Sequence, residues 1–345
     1  MKALKKILWI YIVLCFIIAG LNYGLAPKAS PKTAEFINWF WHFYENWIKT
    51  AFIIIGSYLT IKIISKSGRT EMRKKNLIGL ICAALVVHII LPLVLNNKEV
   101  YFFALPLPWS TTPLQLMYNK TAFYESHIGV WGLGGIAAIL IVFLIISIVV
   151  FVGTVIFGRR WQCSTICLFN GFASEVFSPV TPLLGKSKKL SASKLKVLTF
   201  FKWLFFALGL LFTIWWILFL SGVDVPGNFK VMEQIELYKY LCADLLVMMF
   251  FWVVFTGRGY CYYCPLGTFL SLISRLAGQK ISTDKSECIK CGKCNKACPM
   301  AIDIKTKAQD KKDVKELRCV GCGHCIDACP TKTLSYETKI IKRLY

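Results

Sequence analysis

Fifteen cysteines stand in this chain of 345 residues, and eight of them form two runs near the C-terminus. The runs are Cys288-x2-Cys291-x2-Cys294-x3-Cys298-Pro299 and Cys319-x2-Cys322-x2-Cys325-x3-Cys329-Pro330. The chemistry this spacing suits is one-electron transfer at iron. Three closely spaced thiolates wrap three irons of a [4Fe–4S] cube, and the fourth cysteine of each run reaches across to the other cube. Cys288, Cys291, Cys294 and Cys329 are thereby assigned to one cluster, and Cys319, Cys322, Cys325 and Cys298 to the second. Gly292, Gly321 and Gly323 let backbone pass close to sulfur. Tetrahedral zinc also uses cysteine pairs two residues apart, but two complete copies in register favour a two-cluster ferredoxin over zinc or disulfides.

Four further cysteines form a repeated element upstream. Phe157-Gly158-Arg159-Arg160-Trp161-Gln162-Cys163-x3-Cys167 echoes Thr256-Gly257-Arg258-Gly259-Tyr260-Cys261-x2-Cys264-Pro265. Each copy follows a pair of apolar segments, so topology brings all four thiols to one membrane face. Four soft ligands there suffice for an iron–sulfur cluster or a mononuclear iron centre; redox-active thiol pairs and purely structural cysteines are the alternatives. Arg159, Arg160 and Arg258 are candidate donors to cluster sulfurs or to a quinone head-group, although arginine at a cytoplasmic helix end also follows from topology alone. Cys15, Cys82 and Cys242 sit singly in apolar segments, where cysteine behaves as a small hydrophobe.

The elements that must position these groups are membrane helices. Hydrophobic residues make up 56% of the chain and charged residues 17%, unlike a soluble ferredoxin. Six segments are apolar over about the ~20 residues a helix needs to cross a bilayer: roughly 7–25, 48–64, 77–95, 129–157, 203–222 and 240–256. The fold class is therefore mainly α, a six-helix transmembrane bundle fused to a bacterial-type α+β ferredoxin. The membrane domain spans 1–257, with a cysteine-bearing loop at 158–197, a cysteine element and linker helix at 258–280, and the ferredoxin at 281–345. The first 25 residues have the basic start and apolar middle of a signal peptide, but the apolar stretch is long, so a retained helix is expected.

Basic residues set the orientation, because short cytoplasmic loops retain Lys and Arg. Lys2, Lys5 and Lys6 lie at the N-terminus, and Lys62, Lys66, Arg69, Arg73, Lys74 and Lys75 between the second and third segments. Arg159, Arg160, Lys186, Lys188, Lys189, Lys194 and Lys196 face a single acid, Glu175, between the fourth and fifth. Both termini and the ferredoxin are expected on the cytoplasmic side of the cell membrane. The net charge of +23 follows mostly from these loops and implies no nucleic acid. Lys290, Lys293, Lys296, Lys311, Lys312 and Lys315 make the ferredoxin basic, either as a solvated face or to steer an acidic redox partner.

The Gly-Arg-x-x-Cys elements followed by a ferredoxin resemble the NapH/NosR/CcoG group of membrane-bound polyferredoxin-like proteins, over the region from Gly158 to the last cluster. The chain departs from that pattern at Leu168, where proline is usual, and in the two-residue spacing of Cys261 and Cys264. The resemblance implies an electron-transfer subunit of a quinol-linked oxidoreductase rather than a stand-alone enzyme. It also leaves open a CcoG-like copper redox or assembly factor, for which Met248 and Met249 are the only paired membrane ligands, and a redox-sensing regulatory subunit.

Ionisable residues inside a membrane are costly and invite a functional reading. His88, near the middle of the third segment, is a candidate for quinone hydrogen bonding or proton relay, or for a hydrogen bond to a neighbouring helix. Asp244 is a candidate partner of Lys239. His88, His127 and His42 are not matched in depth as a bis-histidine haem site requires. Trp39, Phe40, Trp41, Phe43, Tyr44 and Trp47 read as an aromatic belt or surface helix. No nucleotide, flavin or hydrolase motif is present.

Overall fold

The computed structural model describes residues 1–66, 69–184, 190–283 and 288–342; Lys186, Lys188 and Lys189 lie outside the described residues. Each of the six apolar segments lies in a helix long and apolar enough to cross a membrane: Lys2–Lys28, Pro31–Ile64, Glu71–Val94, Ala122–Phe157, Ala192–Leu220 and Phe229–Val254. All six begin earlier than hydropathy alone places them. Polar helix starts are stabilised by side-chain caps rather than by lipid. Ser30 accepts from the Thr33 amide, Thr121 from Tyr124, Ser191 from Lys194, and Asn228 from Lys230 and Val231. The aromatic stretch Trp39 to Trp47 is consequently not a separate surface helix but the first half of the second span. The fourth span is broken near one end, where Trp131 and Gly132 leave helical geometry and Gly132 takes φ +58°, a value only glycine adopts readily.

Side chains such as Leu133, Leu144, Ile148, Leu211 and Phe250 point outward and exposed, as lipid-facing positions do. The bundle also contains wide π-helical turns at Gly20–Leu25, Tyr44–Ile48, Leu85–Ile90 and Tyr240–Leu246. Such turns often mark functional positions in helices.

The C-terminal unit is built around a two-stranded antiparallel sheet. Strand β1 (Lys280–Thr283) pairs with β2 (Leu334–Glu337) in the register Lys280 to Glu337 and Thr283 to Leu334, and Val314 bridges Ile281 on the other side. Each cysteine run ends its first three thiols on a one-turn helix, Lys293–Ala297 or His324–Asp327. Left-handed Gly292 (φ 69°) and Gly323 (φ 76°) precede these helices. The second run lies against the membrane helices. Asn76 donates to the Cys322 carbonyl at 2.9 Å and Ser164 to the Val320 carbonyl at 2.9 Å. Asp327 accepts from the amides of Met72 and Arg73. Tyr336 and Thr338 donate to the last carbonyls of the fourth span, at Phe157 and Ile156. The start of the first run is more open, with Cys291 exposed.

Candidate redox centres and the adjoining cavity

Cys163 sits on a wide turn, Trp161–Ile166, shortly after the fourth span, and Cys167 is the extended residue that ends the turn, whereas Cys261 and Cys264 follow the sixth. The polypeptide brings the four thiols to the wall of one small cavity, together with Arg159, Asn170 and Gly267. Hydrogen-bond donors converge on the sulfurs. Arg159 Nε lies 3.3 Å from Cys163 Sγ, Asn170 Nδ2 3.1 Å from Cys261 Sγ, and the Gly267 amide 3.3 Å from Cys264 Sγ. Cys264 caps the Pro265–Leu276 helix, so the positive end of that helix faces its sulfur.

Burial pushes the Cys163 thiol up despite Arg159, and pushes Cys167 up to about 11. Free thiols in such a place would stay protonated and inert, yet two guanidinium groups and an amide are aimed as if at anions. This donor set fits thiolates held by a metal, which removes the thiol proton outright. A single tetrahedral ion with metal–sulfur bonds of about 2.3 Å would need sulfurs about 3.8 Å apart. Among the described residues, Glu175, Cys322 and His324 form a group whose ligand atoms all lie within 4.8 Å of one another.

The three arginines separate by role. Arg159, besides its sulfur contact, donates to the carbonyls of Cys261 and of Leu317 in the second run's loop. Arg258 donates to the Cys163 carbonyl at 2.6 Å, lies 3.8 Å from Cys261 Sγ, and is ion-paired with Glu175. Arg160 touches none of these sulfurs and binds the Met72 carbonyl and Asn76 Oδ1 instead. Both Arg159 and Arg258 are fully buried.

The ferredoxin thiols line two further cavities. One is walled by Cys298, Cys319, Cys322 and Cys325, the other by Cys288, Cys291, Cys294 and Cys329. Burial pushes Cys319 up to about 11, whereas hydrogen bonds from Thr333 and Thr331 outweigh burial at Cys329 and draw it down. The set containing Cys319 is therefore the enclosed one beside the membrane helices, and the set containing Cys288 is the outlying one.

Next to the upstream thiols lies a cavity of about 550 Å³ between the third and fourth spans and the Trp161–Ile166 turn. Leu105, Trp109, Gln162 and Phe169 line both this cavity and the four-thiol cavity. Its walls are mostly apolar, as small-molecule sites are. His88 lies at its far end, in the Leu85–Ile90 wide turn, with its ring stacked on Tyr101 at 5.8 Å. His88 is nine helical steps from Gly79, which lines the near end beside Thr165, a rise of roughly 13 Å. Arg159, Arg160 and Arg258 do not line it. Asp244 is paired with Lys239 at 3.4 Å, and Met248 and Met249 are packed in the apolar core.

Residues 280–330 match a 4Fe-4S dicluster domain, a stretch that holds all eight cysteines of the two runs. Over 190 residues the chain is 31% identical to the uncharacterized protein MJ0749 of Methanocaldococcus jannaschii, covering 54% of this chain and 70% of that one. The chain belongs to the MJ0749 family. The uncharacterized protein MJ0750 of the same organism is 29% identical over 174 residues, 49% of this chain and 70% of its own. The putative electron transport protein YccM of Escherichia coli K12 is 28% identical over 76 residues, 21% of each chain. No solved structure matches. Within this family the chain is a six-span membrane protein with an iron–sulfur dicluster domain, and iron–sulfur electron transfer is its function class.

Sequence reasoning missed Glu175, Asn76, Asn170 and Gln162. Glu175 is fully buried and joins Arg258, Asn76 (3.2 Å) and His324 (3.0 Å). These partners outweigh burial and hold its carboxyl down at about 2. Its one visible signal is that it stands as the lone acid in a strongly basic connection.

Proposed function

We propose that the chain passes electrons between a quinone-type carrier in the membrane and a redox protein at the face where the dicluster domain sits. Cys163, Cys167, Cys261 and Cys264 would hold a third iron–sulfur cluster. Cys319, Cys322, Cys325 and Cys298 would hold the second ferredoxin cluster, and Cys288, Cys291, Cys294 and Cys329 the outlying one. Bound clusters of this kind accept and give single electrons, at potentials set by hydrogen bonding, charge and burial.

The observation that carries the reading is the shared wall. Trp109, Gln162 and Phe169 separate a roomy apolar cavity in the helix bundle from the four upstream thiols. A lipid-soluble carrier in that cavity would stand one side chain away from the third centre. Arg159 continues the connection outward, since it binds Cys163 Sγ on one side and the loop of the Cys319 set on the other. Exposed Lys290, Lys293 and Lys296 surround exposed Cys291, which suits an acidic docking face on the partner. The basic residues of alternate loops support a cytoplasmic position for that face, and the resemblance to quinol-linked polyferredoxins supports the carrier's class.

Anaerobic mixing of the oxidised, purified full chain with duroquinol tests the reading. Bleaching of the iron–sulfur absorbance within the mixing experiment is expected. Centres that dithionite reduces but duroquinol leaves oxidised would overturn it.

A further inference from the structure

Of the chain's four histidines, His88 lines the large cavity, His42 adjoins it through Tyr101, and His127 lies beyond at Glu99. His88 lines the cavity, is 2% exposed, and its Nδ1 has no hydrogen-bond partner among the described residues. A buried polar atom left without a partner in an apolar wall points to a ligand that supplies one. Tyr101, stacked on His88, also lines the cavity, as do Glu45, Lys49 and Tyr240. From Tyr101 a chain of polar groups leads away. Its hydroxyl accepts from Trp41 Nε1 at 2.8 Å, which leaves its own hydrogen for His42 Nδ1 at 3.3 Å. His42 Nε2, then the protonated nitrogen, lies 3.4 Å from Glu99 Oε1. The other carboxylate oxygen of Glu99 accepts from Ser126 at 3.0 Å and lies 3.5 Å from His127 Nδ1. Ser126 is exposed, and the Glu99 side chain is 22% exposed. The chain thus joins the cavity to water on the side away from the dicluster domain.

We propose that Tyr101, His42 and Glu99 form a proton relay that carries the protons of the bound carrier to the face opposite the dicluster domain. This inference rests on the quinone reading of the cavity. The balance is that of a quinol: QH2 gives Q, two protons and two electrons. Its two O–H bonds break and its ring becomes a quinone, and the two electrons would be accepted one at a time by the iron–sulfur centres that Cys163, Cys167, Cys261 and Cys264 and the ferredoxin thiols would hold. The protons pass from the carrier to Tyr101 and through His42 to Glu99 and out to water. Electrons and protons therefore leave by opposite ends of one cavity, which makes the reaction charge-separating. Glu99 suits an exit because His42 and His127 hold its carboxyl below the usual range although burial pushes it up, so it returns to the ionised form after each transfer.

The test uses the full chain in vesicles with a pH dye inside, external duroquinol, and external ferricyanide, which cannot cross the bilayer and so reports only on molecules whose dicluster domain faces outward. Protein-free vesicles give the background. Wild type is expected to acidify the lumen by one proton per electron delivered. Glu99→Gln should slow lumenal acidification by about a hundredfold, the scale of a lost proton-transfer group. Glu99→Asp should recover much of it. Quenching of tryptophan fluorescence by duroquinone should be unchanged in both variants, showing that the cavity is intact. Ferricyanide reduction with protons released outside, or a Glu99→Gln variant with undiminished acidification, would overturn the relay while leaving the electron path standing. No reduction of the centres by duroquinol would remove the carrier reading and the relay with it.

Discussion

Arg258, four residues past the end of the sixth span at Val254, is ion-paired with Glu175, in the connection between the fourth and fifth spans; both side chains are 1% exposed. The pair ties together four parts of the molecule. Arg258 holds the Cys163 carbonyl and Ser164, while Glu175 holds Asn76 of the third span and His324 of the second ferredoxin run. The geometry between the upstream thiols and the ferredoxin is therefore fixed by charge-assisted bonds rather than by apolar contact alone. The same bonds explain why the Glu175, Cys322 and His324 group is no free metal site, since both carboxylate oxygens already have partners.

Removing one member of a buried ion pair leaves the other charge uncompensated, at a cost of about 3–5 kcal/mol. Glu175→Ala should destabilise the folded protein by that amount in a denaturant titration in detergent. The double variant Glu175→Ala, Arg258→Met should regain a large part, because two apolar groups leave no orphan charge. A double variant as unstable as the sum of its parts would show that the pair does not act as a unit.

Iron content separates the upstream site from the ferredoxin. With three four-iron clusters the purified chain should hold about twelve irons, and Cys163→Ser with Cys261→Ser should reduce this to about eight. The EPR signals of the two ferredoxin clusters should persist. Unchanged iron and spectra in the double variant would mean that the four upstream thiols hold nothing.

Lys280 on β1 bonds Asp313 at 2.8 Å and lies 3.3 Å from Glu337 on β2, strapping the small sheet. Burial pushes the Asp313 carboxyl up, but Lys280 more than offsets this and holds it below its usual range. Asp313 in turn raises Lys280. The depressed acid contributes stability above its unfolded pKa of about 3.9 and loses it as pH falls through the folded value. The raised lysine contributes below about 10.4 and loses it as pH rises through its folded value. Lys280→Met should therefore lower stability by about 1 kcal/mol between roughly pH 5 and 10. Urea titrations of wild type and variant should converge outside that window. A difference that persists undiminished at pH 3 would assign the effect to lost packing of the lysine stem.

The cysteine runs were legible in the sequence because ligand spacing is local, and so were the six apolar segments, because lipid demands them. Helix starts were not, since Ser30, Thr121, Ser191 and Asn228 cap turns that lie outside any apolar window. Which ferredoxin set faces the membrane was also hidden. It depends on Asn76, Ser164 and Tyr336 meeting the loops from far along the chain, and the two runs look alike in sequence. Glu99, His42 and Tyr101 stand far apart in the chain or carry no motif between them; only their contacts with one another, ending at Tyr101 beside His88, give them a joint role.

Arg159 offers the sharpest probe of how the upstream site is tuned. Its Nε–H points at Cys163 Sγ from 3.3 Å, and its other nitrogens are held by the Cys261 and Leu317 carbonyls. The guanidinium cannot swing aside. A positive donor on a cluster thiolate stabilises the reduced, more negative state, so losing it makes reduction harder. Arg159→Gln keeps a donor but removes the charge and should lower the potential of the upstream centre by on the order of 50 mV, the equivalent of a tenfold shift in a one-electron equilibrium. Arg160→Gln, whose native side chain binds Met72 and Asn76 rather than sulfur, should leave that potential in place. Redox titration followed by EPR reads both. Equal shifts in the two variants would mean that net charge at this face, and not the bond to Cys163, sets the potential.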